Sequence, residues 1–523
     1  MAAPATRPER APTAAELIDS FVRRSPLARC FPIFHSAQGA YLRFKSPWSG
    51  RERTVLDLNQ NAGCAIFGHS PPDAVGALHA CLAARTPMRL PLARCEAAEE
   101  LSDVLLRNSG LGPRFQAVLG LHSGAEAIDQ ALALALCAPR PGGALHPAPA
   151  GGPPLMLVLL EGSFHGNCTR AAFSASAVFR AHPRREALCD FEAAYLAPDA
   201  SAAQVEAAFA RHDAGEAAVV AVVLEARQHF ARFAALQPRT AAALQAAAAR
   251  RGVPVVLDEI WSGVYRTGPF LALTAQAEEA TEEAAVAGAA GTAAPPLLLP
   301  SAVVVAKGLS VGLCKHAALL VRDDLLPPAA AAPRPAAPCA LACSAALACL
   351  AAAPPAAVAA KARRLERRVR ELAAARAATL LPVVGRGFSY EFELRATSEL
   401  QPEWCAVSMP HACPMHAPCV PMHATCTPHA RHMHTRCACL VATVCLLHLL
   451  WWQGVFLLPR PLRRPRRYHA ELSLDADEAQ LLHLFAALDA TARLAATLTA
   501  LLWPLAFATR LFATLRHAPA TPA

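Results

Sequence analysis

Between residues 154 and 306 the chain repeats one pattern, a short continuous apolar run followed by a longer stretch of mixed polarity. The runs are 154–160 (PLMLVLL), 218–224 (AVVAVVL), 253–257 (VPVVL) and 302–306 (AVVVA). Runs of this length without alternation suit strands covered on both faces, as in a mostly parallel sheet. Between the second and third, Arg239–Arg251 is an Ala-rich helical stretch that stops at Gly252, which gives a strand–helix–strand unit. Near the N-terminus a helical pattern begins at Ala14, with Leu17, Ile18, Phe21 and Val22. From about residue 359 the pattern changes to a charged helix, Lys361–Ala378, and then a strand, Phe388–Leu394. The predicted fold class is α/β: an N-terminal segment (1–75), a large domain with a mostly parallel sheet (76–338) and a smaller α+β C-terminal domain (339–523).

Four segments interrupt this pattern. Residues 138–153 and 326–338 are rich in Pro, Ala and Gly, and 274–297 in Ala and Glu; all three read as surface insertions. The fourth, about 397–450, carries six histidines from His411 to His434 and four of the seven methionines. His/Cys-rich tracts can bind metal, but no C-x2-C or H-x3-H pair here is placed as in a zinc finger, so no metal site is expected. The segment reads as a low-complexity insertion, or as non-coding sequence translated into the chain.

Charge and cysteine count change the picture little. Basic residues exceed acidic ones, 49 to 40, but the excess is scattered apart from Arg460–Arg467, so nucleic acid is not an expected partner. The 18 cysteines in a 523-residue chain are no secreted disulfide framework, and no signal peptide is evident. A cytoplasmic or organellar protein is expected, with no membrane partner, although Leu440–Leu458 is apolar enough to imitate a span. One count matters more. Only four lysines occur, Lys45, Lys307, Lys315 and Lys361, so amine chemistry at a side chain is confined to four positions; arginine neither deprotonates near neutral pH nor condenses with an aldehyde.

Four motifs could carry chemistry. In HSGAEAIDQALALA (His122–Ala135), Ser123 and Glu126 have the form of a capping box, and a helix N-terminus there is equally a site for phosphate. In LEGSFHG (Leu160–Gly166), Phe164 is a core residue or a flat face for a ring. In VVLDEIWSGVYRTG (Val255–Gly268), Asp258 and Glu259 end an apolar strand, where α/β folds bind ligands, or form a solvated turn. In AVVVAKGLSVGL (Ala302–Leu313), Lys307 ends an apolar strand before a Gly-containing turn, where desolvation favours its neutral, nucleophilic amine.

In this order the four motifs resemble the class III aminotransferases, and the resemblance covers about Ala14–Ala490 apart from the insertions. It implies fold type I of the pyridoxal-phosphate enzymes, with pyridoxal 5′-phosphate as cofactor. It implies that Ser123, Gly124 and Ala125 cradle the phosphate, and that Phe164 and Ile260 take opposite faces of the ring. His165 joins the cofactor-binding set, Asp258 meets the ring nitrogen, and Lys307 is the catalytic lysine that holds the cofactor. The implied reaction is ping-pong transfer of an amino group, from a terminal amine above all, to a 2-oxo acid, at the interface of a homodimer. A lyase or decarboxylase reaction of the same cofactor, or a silent relative that acts by binding, are the alternatives. The chain departs from the family's pattern in three places: the stretch just before the CALACSAALACL helix (Cys339–Leu350) has no threonine, QHFARF replaces the Gly-rich QGEGG, and Trp261 stands where a glutamine is common.

Overall fold

The computed structural model describes residues 34–45, 50–89, 95–138, 152–274, 298–326, 337–393, 455–456, 458–459 and 467–490. The N-terminal helical pattern from Ala14 and nearly all of the four interrupting segments lie outside these residues, as does most of Leu440–Leu458.

An N-terminal antiparallel meander, β1 (Phe34–Gln38), β2 (Tyr41–Lys45) and β3 (Glu52–Asp57), is followed by helices α1 (Pro72–Ala83) and α2 (Glu96–Ser109). The central sheet then forms from β4 (Phe115–Leu121), β5 (Leu155–Leu160), β6 (Glu192–Leu196), β7 (Ala218–Glu225), β8 (Val255–Asp258), β9 (Ala302–Val305) and β10 (Ala317–Arg322). Its spatial order is β4-β10-β9-β8-β7-β5-β6. The strands from β9 to β6 pair in parallel, while β10 runs antiparallel to both β9 and β4. The sheet is therefore mixed at one edge. All eight residues of β7 are buried, as are all four of β8 and of β9, which is why these segments read as unbroken apolar runs.

Helix α3 (Gly124–Cys137) follows β4, and α4 (Pro238–Arg250) joins β7 to β8. Beyond the sheet, α5 (Ala340–Ala351) packs against α1 and α2, and α6 (Pro355–Ala374) follows α5 after three intervening residues, with a Pro in its first turn. The C-terminal sheet is formed by β11 (Val384–Arg386), β12 (Ser389–Glu393), β14 (Leu458–Pro459) and β15 (Arg467–Glu471) in the order β11-β12-β15-β14; β13 (Val455–Phe456) instead joins β3 of the meander. Residues 478–490 are helical.

A buried arginine ties these parts together. Arg266, 1% exposed, donates to Gly63 O (2.9 Å) and Leu472 O (2.8 Å) and pairs with Glu471 Oε2 at 3.1 Å. Removing either partner of such a pair leaves an uncompensated buried charge. No single helix among the described residues is long and apolar enough to cross a membrane.

Candidate active site

The carboxyl ends of β5, β7, β8 and β9 point toward one cavity of about 520 Å³, the position at which open α/β sheets bind ligands. It is lined by the sequence-predicted Ser123, Gly124, Ala125, Phe164, His165, Asp258, Ile260 and Lys307. Four motifs separated by up to 185 positions in the chain (307 − 122) thus meet in one place.

At the end of β9, Lys307 has a left-handed backbone (φ 38), a conformation that a non-glycine residue holds only where its surroundings enforce it. Its Nζ donates to Ala62 O at 3.0 Å and lies 4.4 Å from the centre of the Trp261 ring. Ala62 is itself in a left-handed turn (φ 54), so two strained segments converge on this amine. Burial in the cleft holds the Lys307 ammonium below the usual lysine pKa.

Asp258, at the end of β8, is buried. Its Oδ1 accepts from Ile260 N (2.8 Å) and its Oδ2 lies 2.7 Å from His165 Nδ1. His165 is buried as well, and its backbone N–H donates to Ser176 Oγ at 2.8 Å. Its ring therefore fixes the carboxylate that faces the cavity. Glu259, the next residue, turns away: its carboxylate accepts from Ala272 N (3.0 Å), Leu273 N (2.9 Å) and Ser262 Oγ, and burial pushes its carboxyl up to about 7.

Ser123 caps α3, its Oγ accepting from Glu126 N at 3.2 Å. The reciprocal bond of a capping box is shifted by one residue, for Glu126 Oε2 accepts from His122 N at 2.8 Å. The N–H groups of Gly124 and Ala125 precede the first intrahelical bond, Ala127 N to Ser123 O, and belong to the donors that a helix leaves for an anion. Gly124 is dictated by packing, since a Cβ there would stand 2.5 Å from Ile260 Cδ1. Gly166 (φ 126) is likewise forced: a Cβ would meet Ala125 Cβ at 2.9 Å. The turn after β5 and the start of α3 are thereby pressed together.

Several wall residues were not assigned a role from the sequence. Glu225, at the end of β7, is buried and accepts from Phe164 N (3.2 Å). The Phe164 ring lies 4.8 Å from that of Phe230, and His229 stacks on Trp261 with ring centres 3.3 Å apart. The QHFARF and Trp261 departures are thus one feature, an aromatic wall beside Lys307. Trp261 Nε1 donates to Ser389 Oγ at 3.5 Å, which links this wall to β12. The signal for Glu225 was an acid ending an apolar strand, the same signal that marked Asp258.

Comparison with known proteins decides the family. The profile of the aminotransferase class-III family matches residues 33–406, well over half of the chain. The chain belongs to the class III aminotransferases. It is 27% identical over 226 residues to an Aeropyrum pernix protein named as a LysW-aminoadipate semialdehyde/glutamate semialdehyde transaminase, a match covering 42% of this chain and 50% of that one. The chain thus spans about half the length of this curated relative. Two structures of ornithine aminotransferase from Toxoplasma gondii superpose with TM-scores of 0.64 and 0.62 at 16% and 17% identity, covering 93% and 92% of this chain and 97% and 94% of theirs. The second was crystallised in the presence of oxidized glutathione. The fold is that of the type I pyridoxal-phosphate enzymes.

Pyridoxal 5′-phosphate is the cofactor of the family, and the residues present fit it. The cavity offers the amine of Lys307, the buried carboxylate of Asp258, a helix N-terminus kept open by Gly124, and apolar walls at Phe164 and Ile260.

Proposed function

We propose that the protein transfers an amino group, from a terminal amine of an amine or amino acid, to a 2-oxo acid by a ping-pong reaction. The observation that carries this reading is that Lys307 and Asp258, at the ends of nearby strands, open into one cavity with the N-terminus of α3.

In this reading Lys307 holds pyridoxal 5′-phosphate through its amine, Asp258 holds a proton at the ring nitrogen, and Ser123, Gly124 and Ala125 hold the phosphate. Phe164 and Ile260 supply the two apolar walls. When bound, the cofactor supplies an electron sink for the carbon that loses its proton. Lys307 Nζ, freed once substrate has displaced it, takes a proton and returns it; the desolvation that lowers its pKa keeps a share of the amine neutral for this task. His165 keeps Asp258 oriented through the 2.7 Å contact. The aromatic wall of Phe164, Phe230, His229 and Trp261 excludes water from the reacting side of the lysine. The division into three segments at 75/76 and 338/339, and a homodimer as the working form, belong to the same proposal.

The test is product analysis with purified protein, pyridoxal 5′-phosphate, a panel of ω-amines and a 2-oxo acid. A new amino acid together with the aldehyde or ketone of the donor is the expected result. Release of ammonia or CO2 instead would show a lyase or decarboxylase, and no turnover of any donor would show a silent relative.

A further inference from the structure

His229, Phe230 and Trp261 line the cavity from the segments that follow β7 and β8. The turn that carries the first two is fixed from several directions. Phe233 N donates to Gln228 O at 2.9 Å, and Gln228 Nε2 donates to Glu161 O at 2.8 Å. Arg232 and Phe233 both hold left-handed backbones, at φ 58 and 57. His229 is thereby buried against the Trp261 ring, while Phe230, tilted on Phe164 at 4.8 Å, stays 43% exposed. A large aromatic ring held open in the wall of a ligand cavity is a contact surface for an apolar group.

The charged side chains of this segment are held by the fold. Glu225 Oε2 accepts from Phe164 N at 3.2 Å and Oε1 from His229 N at 3.4 Å. Arg232 pairs with Glu391 at 3.2 Å and with Glu393 at 3.8 Å, both on β12. Lys315, which also lines the cavity, lies toward the start of α3, because Ala317 two residues later pairs with Leu121. In the sheet, β9 and β8 separate β10 from β7. The two ends of the cavity therefore differ, with a lysine before β10 and aromatic rings after β7 and β8. The aromatic end is also the reacting end, since Lys307 Nζ lies 4.4 Å from the centre of the Trp261 ring.

Resting on the function proposed above, we propose that the amino donor is an arylalkylamine whose ring packs on the wall formed by Phe230, His229 and Trp261, with Phe230 as the residue that selects it. The donor amine reacts where Lys307 Nζ reacts, so the carbon chain next to it runs along this wall. Contact between rings adds to the burial of apolar area and favours a flat group over a charged end, whose desolvation here would go uncompensated. Over the full cycle the donor's C–N bond is replaced by C=O and that carbon is oxidised by two electrons. The carbonyl carbon of the 2-oxo acid gains the amino group and is reduced by two.

The experiment compares 2-phenylethylamine with 4-aminobutyrate, both terminal primary amines, using pyruvate as acceptor and the cofactor-loaded full-length protein. In the wild type, kcat/KM for 2-phenylethylamine should exceed that for 4-aminobutyrate by about tenfold or more. Phe230→Ala should lower the ratio of the two kcat/KM values about tenfold, through KM for the aryl amine rather than its kcat, and Phe230→Leu should recover part of the loss. The ratio cancels any change in cofactor loading, which the visible absorbance band measures separately. The alcohol 2-phenylethanol, which keeps the aryl chain and lacks the amine, should compete with the donor in the wild type and about tenfold less well in Phe230→Ala. A wild type that prefers 4-aminobutyrate would overturn the inference and leave the proposed transamination standing. An unchanged ratio in Phe230→Ala would also overturn it, and a change of oligomeric state in that variant would then assign the ring to a subunit contact. Protein that turns over no donor would overturn the proposed function and this inference together.

Discussion

His165 and Asp258, 93 positions apart, meet through Nδ1 and Oδ2 at 2.7 Å with both side chains buried. The contact joins the turn after β5 to the end of β8, and it makes the orientation of the central carboxylate depend on a residue from another motif. Asp258→Asn should keep the yellow colour of bound cofactor and lose transamination by about a hundredfold or more, as when a preorganised charge at a reacting centre is removed. His165→Leu should produce a smaller loss with altered visible absorbance. Asp258→Asn with most of its turnover would show that the carboxylate does not serve the ring nitrogen.

The lysine gives a prediction in pH. Only the neutral amine captures an aldehyde, and burial lowers the Lys307 pKa from 10.5. The rate of cofactor uptake by cofactor-free protein should therefore rise with pH and level off at a midpoint below 10.5. A midpoint at or above the ordinary lysine value would contradict the desolvated setting. Trp261→Ala, which removes the ring lying 4.4 Å from Nζ, should move that midpoint by altering both the solvation and the cation–π contact.

Gly124 and Ile260 define a steric pair. Gly124→Ala should lower stability by about 1–3 kcal/mol and weaken cofactor binding, since the added methyl falls 2.5 Å from Ile260 Cδ1. Combining it with Ile260→Ala should restore folding, which thermal melts of the single and double variants would measure. Additive losses would mean that the glycine is needed for another reason.

Much of the site was legible because it obeys a local grammar. Lys307, Asp258 and Glu225 each end or directly follow an apolar strand, and Ser123 opens a helix with a capping pattern. What the sequence could not show is direction. Asp258 and Glu259 are adjacent acids, yet one faces the cavity and the other binds the backbone of residues 272 and 273. His165, expected among the cofactor contacts, has its Nδ1 committed to Asp258. The sheet edge was also hidden: Gln116 interrupts the apolar run of β4, and the apolar run of β10 (Ala317–Val321) does not reveal that this strand is antiparallel and makes the sheet mixed. Arg266 lies in the third motif, and only folding shows that it joins three parts of the molecule.

Glu259 therefore supports a separate prediction. Glu259→Gln leaves one amide where two carboxylate oxygens accept from Ala272 N and Leu273 N, and should cost about 1–3 kcal/mol of stability. Cofactor colour should persist, in contrast to Lys307→Ala. A melting temperature equal to that of the wild type would contradict the structural role given to Glu259.

The His/Cys/Met-rich segment lies outside the described residues, but its flanks do not. β12 precedes it; after it the chain passes through β13, which pairs with β3, and then β14, and both β12 and β14 border β15. Deleting Thr397–Leu450 should leave the melting temperature and cofactor uptake nearly unchanged, since loop-closure entropy changes by only about 0.6 kcal/mol per doubling of length. Loss of folding, or stoichiometric zinc in the intact protein, would give the segment a working role.

The central claim is that Lys307 holds the cofactor. The measurement is borohydride reduction of purified protein loaded with pyridoxal 5′-phosphate, followed by peptide mapping. With four lysines in the chain, the result has four possible addresses. The account predicts loss of the visible absorbance band, a stable pyridoxyl group on Lys307, and no trapped cofactor in Lys307→Ala. A reduced group on Lys45, Lys315 or Lys361, or protein that traps nothing, would contradict it.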